Sequence, residues 1–256
     1  MALQPDNPVA RLFNILQSFK GLGGGGHTKQ QVGKVFGLAN TSMPLEKIDT
    51  VAIVVKVLNV VKLAEEAEDC LHKIEGLNKG LYLRAFPQIR QTLNLMLGSM
   101  DTAWDTCHQS LKNIEFTALE FAADQLSKHP LEQLIDDEEL KTVQAEIDSV
   151  YDSVSKSELN KELKHLILDQ LELIRRALHE YKLRGAKRLR EAFAESLGNL
   201  FLEGPLLKES KDEPEVNLFW KVYAKFGSLV SFANKAAPYV ELVGKILPML
   251  GSGQQK

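Results

Sequence analysis

The sequence predicts an all-α fold, a bundle of long antiparallel helices with shorter helices at both ends. Three observations carry that expectation. Apolar residues recur at three- and four-residue steps over long stretches. The richest β-branched run sets its polar residues on a helical period. No second run offers a convincing strand partner. With 256 residues, 44% hydrophobic and 25% charged, the chain can bury a core without disulfides or metals.

Short helices are expected over residues 8–20 and 29–38, separated by GLGGGGH at residues 21–27. Four consecutive glycines carry a large entropy cost in any regular element, so this stretch reads as a flexible connector. The run VAIVVKVLNVVKLA, residues 51–64, reads as helix because Lys56, Asn59, Lys62, Glu66, Asp69 and Lys73 step along one narrow stripe. The rest of that cylinder is apolar, which places it at the centre of the bundle. A third helix is expected over residues 90–127, with Leu93, Met96, Leu97, Met100, Trp104, Cys107, Leu111, Ile114 and Ala118 as its seam and His129-Pro130 as its stop.

A further short helix is expected over residues 131–151. Then Leu163, Ile167, Leu171, Ile174, Leu178 and Tyr181 define a long helix, which Ser155 and Glu158 precede in capping-box spacing. Its phase persists to about residue 201, with Gly185 tolerated inside it at roughly 1 kcal/mol relative to Ala. Near the C-terminus Phe219, Val222, Tyr223, Phe226, Leu229, Val230, Ala233 and Ala237 share a face between Pro214 and Pro238, and residues 239–247 form a last short helix. The breaks suggest an N-terminal arm with its Gly-rich linker (1–39), a long-helix body (40–203) and a C-terminal amphipathic module (204–256).

Several motifs invite a chemical reading. Residues 21–28 fit the phosphate-binding loop except at its lysine, where His27 stands, and the preceding segment has a helical pattern instead of a strand. Residues 32–38, VGKVFGL, resemble a helix-turn-helix corner with Thr28 as cap, yet Glu46, Lys47 and Asp49 follow where a DNA reader presents more basic and amide groups. The pairs Asp69/His72, Asp105/His108 and Glu162/His165 have the spacing of di-metal ligands but mostly lie off the apolar seams that would point inward. Cys70 and Cys107 follow apolar seams as small core residues, and their neighbours Asp69 and His108 diverge from them by about 100° on a helix. No catalytic constellation, cofactor site or metal site is expected.

A net charge of -3 gives no global attraction for nucleic acid, although Arg175, Arg176, Arg184, Lys187, Arg188 and Arg190 form a basic cluster. Acidic residues four positions away make that cluster a salt-laced surface first and a phosphate-binding stripe second. The C-terminal apolar residues Phe219, Trp220, Phe226, Val230, Tyr239, Leu242, Ile246 and Leu250 are the candidates for partner binding. Lys235, Glu241 and Lys245 interrupt the tail, so no transmembrane span is expected. The two cysteines and the N-terminal residues predict a cytoplasmic chain. The function expected is therefore non-enzymatic, an interaction or scaffold protein that binds a protein partner or self-assembles, partly through its C-terminal helices. The alternatives are nucleic-acid binding through the helix-turn-helix-like segment or the basic helix, and membrane-surface contact through the tail.

Overall fold

The computed structural model describes residues 2–128, 132–210 and 212–233. The fold is all-α. Among the described residues the regular elements are helical, apart from an isolated antiparallel bridge between His27 and Ala103. No described helix is long and apolar enough to cross a membrane. The tail helix expected over residues 239–247, with Tyr239, Leu242, Ile246 and Leu250, lies outside the described residues.

The chain divides into two compact units, Met1–Leu131 and Glu132–Lys256, and the boundaries expected after residues 39 and 203 fall inside them. Unit 1 contains α1 (Pro8–Gly21), α2 (Thr28–Val35), a 3-10 turn (Leu45–Lys47), α3 (Thr50–His72), α4 (Lys79–Tyr82), α5 (Phe86–Gly98), α6 (Asp105–Lys112) and α7 (Phe116–Ser127). Pro8 fits the first turn of α1, where its missing N–H costs nothing. The Asn7 side chain accepts from the Ala10 N–H at 2.9 Å and donates to the Ala123 carbonyl, tying this helix to α7. Helix α1 packs on α3, α6 and α7, and Leu12, Phe13, Leu16 and Phe19 are fully buried. It is part of the unit's core, not an arm. Phe13 meets Phe116 edge to face at 5.7 Å, and Phe19 lies 6.3 Å from Trp104.

The expected connector at residues 21–27 is instead a built loop. Gly23, Gly25 and Gly26 adopt left-handed φ of 73°, 88° and 82°, which turns the backbone onto the start of α6. Trp104 donates its indole N–H to the Gly23 carbonyl at 2.9 Å, Gly25 donates to Asp105, and the Gln31 amide donates to the Gly25 carbonyl. Thr28 is not the cap of α2. That position belongs to His27, while Thr28 bonds the Thr102 carbonyl through both its N–H and its hydroxyl.

The single helix expected over residues 90–127 is three helices, α5 to α7. Each buries one face against the same core, so the apolar period keeps its phase across the turns at residues 99–104 and 113–115. The helix-turn-helix expectation ends at the 3-10 turn, because the next helix is α3, opened by Asp49 accepting from the Ala52 N–H at 3.0 Å.

Unit 2 contains α8 (Asp137–Lys156), α9 (Lys161–Leu202), α10 (Gly204–Glu209) and α11 (Pro214–Ala233). Helix α8 starts at an Asp136 cap with Asp137, Glu138 and Glu139 in its first turn, a sequence that suits the positive end of the helix dipole. Ser155 lies inside α8, so the expected capping box is not one. Asn160 caps α9, accepting from the Glu162 N–H at 2.9 Å. The contacts Lys182 to Asp137, Arg175 to Asp148 and Lys164 to the Ser157 carbonyl run in opposite residue order, which makes α8 and the first part of α9 antiparallel.

Gly185 is not merely tolerated inside α9. Its φ of 62° and ψ of -158° break the helix, and the Glu132 carboxylate accepts from the Ala186 N–H that the break orphans.

Candidate functional site

The outer face of α3 is the surface that the packing of unit 1 leaves unexplained. The inward side of this helix behaves as the sequence demands, with Ile53, Val57, Val60, Leu63, Ala67 and Leu71 at 0% exposure. The polar stripe does so only in part: Lys62, Asp69 and Lys73 are exposed and Lys56 is half-buried, but Asn59 and Glu66 are buried, and the solvent side also carries Val51, Val55 and Leu58 at 73%, 47% and 44% exposure. The expectation that the apolar remainder of this helix is covered at the centre of a bundle is thereby corrected.

Val51, Val55 and Leu58 are spaced by four and three residues and lie within an arc of about 60°. The same alternation continues through Lys62, Glu65 and Asp69, all exposed, so the face is an apolar segment followed by a charged one. Completing the burial of the three apolar side chains is worth roughly 1–2 kcal/mol each. Elsewhere Leu81 on α4 and Phe121 on α7 are also exposed, on two helices that touch, but neither helix carries a run of such residues along one face. Phe201 and Leu202 are neighbours that diverge by about 100° at the end of α9, and Leu218 and Phe232 lie fourteen residues apart on α11.

The sites expected from the sequence are placed differently. Phe219, Phe226 and Val230 are fully buried within unit 2, and Trp220 is half-buried with its ring 5.2 Å from Phe219. Their stripe packs on α8 and α9: Phe193 stacks on Tyr223 at 5.4 Å and meets Phe226 at 6.1 Å. These side chains form core, not a surface open to a partner. Burial pushes the Tyr223 phenol up to about 12, and the nearby Ser196 hydroxyl pulls the other way without completing a full hydrogen bond.

The basic cluster is dispersed and largely ion-paired. Arg175 bonds Asp148 and Glu172 and lies 4.4 Å over the Tyr151 ring; Arg176 bonds Glu172; Arg188 bonds Glu180; Arg184 is buried against Glu191. Lys187 and Arg190 are exposed. Burial raises the Glu172 carboxyl, but the hydrogen bonds and charges of Arg176 and Arg175 outweigh it and hold the group below the ordinary carboxylate range.

Among the described residues no three His, Cys, Asp or Glu side chains gather as a metal cluster. Glu162, His165, Asp69 and His72 are exposed, whereas His108 is buried, stacked near Trp104 and bonded to the Lys20 carbonyl. Cys107 is fully buried, and burial raises its thiol despite a side-chain hydrogen bond with Thr28 that works the other way; Cys70 is half-buried.

Sequence reasoning missed the α3 face because the helix is apolar almost all round. Only the packing of α1 and α5 against it decides which side stays out. Comparison with known protein families, curated proteins and solved structures finds no match.

Proposed function

We propose that this chain is a non-enzymatic interaction protein that docks through the outer face of α3. The observation that carries the reading is the co-facial exposure of Val51, Val55 and Leu58 on one long helix. Apolar side chains in such a stripe engage a complementary helix or groove by burying anchors at i, i+4 and i+7. The three side chains are held on a rigid element whose opposite side is packed into the core, so ordering the face on binding costs little conformational entropy.

A photo-activatable cross-linking residue at position 55, compared with one at position 141 on α8, tests the reading in cells of the native host. The expected result is a discrete adduct with protein from position 55, absent from position 141 and lost when Leu58 is changed to Asp. Identical or absent adducts at the two positions refute it.

A further inference from the structure

The break at Gly185 turns α9 back on itself. Lys225 bonds Glu146 and the Ala233 carbonyl accepts from the Gln133 N–H, so α11 is antiparallel to α8 and parallel to the first half of α9. Ser196 lies beside the Tyr223 hydroxyl and Phe193 meets Phe226, again in opposite residue order, so the second half of α9 is antiparallel to α11 and hence to the first half. The levels agree. Arg175 bonds Asp148, close to the Glu146 that holds Lys225, whereas a straight helix would set Phe193 about 27 Å beyond Arg175. Unit 2 is thus a bundle of α8, the two halves of α9 and α11, in which the turn between the α9 halves is a single residue.

That residue is glycine at φ 62° and ψ -158°, a conformation that L side chains do not hold without strain. The turn is held by the Glu132 carboxylate on the Ala186 N–H, by the Ile135 N–H on the Tyr181 hydroxyl at 2.9 Å, and by Arg188 on Glu180 at 2.6 Å. The apolar phase, however, ignores the turn. From Leu163 to Leu200 buried positions step by three and four residues straight through Gly185. Leu178, Tyr181, Gly185, Leu189, Ala192 and Ser196 would fall within an arc of about 80° on one unbroken helix. A hairpin alone does not require that continuity, because each half could meet the core in a phase of its own.

We propose that Gly185 is the hinge of a domain swap with a second copy of this chain. In the open state α9 is one helix of 42 residues, about 63 Å long. The second half of α9 and α11 of each copy then complete the bundle begun by α8 and the first half of α9 of the other. The in-phase stripe lets the two open α9 helices lie antiparallel along one seam, with the two-fold axis at Gly185. Core contacts away from the hinge are the same in both states, made within a chain or between chains. The balance is therefore set by the hinge contacts, by the backbone hydrogen bonds that straightening restores and by protein concentration, and a one-residue hinge favours such exchange. The inference does not involve the α3 face.

Glu146→Cys with Lys225→Cys, in a Cys70→Ser background of the full chain, places one thiol on each exchanged half at a contact that the swap preserves. A short bifunctional maleimide joins them within a chain in the closed monomer and between chains in the swapped dimer. Refolding from urea in dilute solution should give monomer linked within the chain. Refolding at high concentration should add a dimer by sedimentation velocity, and that dimer, once isolated, should link covalently between chains on a denaturing gel. Adding Gly185→Ala, whose Cβ penalises the hairpin turn, should convert most of the protein to this dimer with native helix content by circular dichroism. A folded Gly185→Ala protein that stays monomeric, or a dimer of either protein linked only within its chains, overturns the swap. If Gly185→Ala does not fold, the concentrated refolding of its Gly185 parent decides, and the absence of inter-chain links there overturns the proposal.

Discussion

Replacing Phe226 with Ala distinguishes a core role for the α11 stripe from a docking role. The ring is fully buried and packs 6.1 Å from Phe193 among side chains of α8 and α9. Truncation removes the apolar contact and leaves a cavity, together worth about 3–5 kcal/mol. With a urea dependence of about 1–3 kcal/mol per molar for a unit of this size, the midpoint should fall by roughly 1–5 M, about 2 M at the middle of both ranges.

Each unit holds one tryptophan, Trp104 in the first and Trp220 in the second. A Trp104→Phe background therefore assigns the fluorescence transition to unit 2. Circular dichroism below the transition should show native helix content in both proteins. A midpoint shift equivalent to less than about 1 kcal/mol, accompanied by loss of self-association, would refute the core assignment.

Three further outcomes follow from particular contacts. A Cβ added at Gly33 would lie 2.7 Å from the Ala39 Cβ and 3.1 Å from the Ile53 Cδ1, so Gly33→Ala should destabilise unit 1 by about 1–2 kcal/mol despite its better helix propensity, as read by Trp104 in a Trp220→Phe background. Glu132→Ala strips the acceptor from the Ala186 N–H and should cost unit 2 about 1–3 kcal/mol in a urea titration, whereas Glu132→Gln keeps an acceptor and should cost less. The folded state keeps the Tyr223 proton up to about pH 12, while an unfolded tyrosine releases it near 10. Its contribution is therefore full below pH 10 and lost on rising toward 12, a difference of about 2–3 kcal/mol that Tyr223→Phe should remove from the alkaline limb of the stability profile.

Much of the architecture was legible in the residues. The α11 stripe, the Pro214 start and the helical assignment of residues 51–64 all rest on periodicities that one helix face enforces. Breaks were harder to see. Residues 90–127 keep their apolar phase across two turns because three short helices line one core, and Gly185 sits in phase although its backbone is not helical. The glycine run was misread for the opposite reason: its freedom is spent on left-handed turns that bring it onto Trp104 and Asp105, partners about eighty residues away.

The α3 face needed the structure most. Asn59 and Glu66 are polar yet buried, while Val51, Val55 and Leu58 are apolar yet exposed, so at these five positions residue type does not foretell the side of the helix.

An environment-sensitive fluorophore on Leu58→Cys, in the Cys70→Ser background, reports the desolvation of the α3 face directly. Adding an extract of the native host is predicted to blue-shift its emission, and the same dye on Lys141→Cys is predicted to stay unchanged. Emission at position 58 that remains that of a water-exposed dye, with unlabelled protein and with an extract of the native host alike, would contradict the claim that this face is a docking surface.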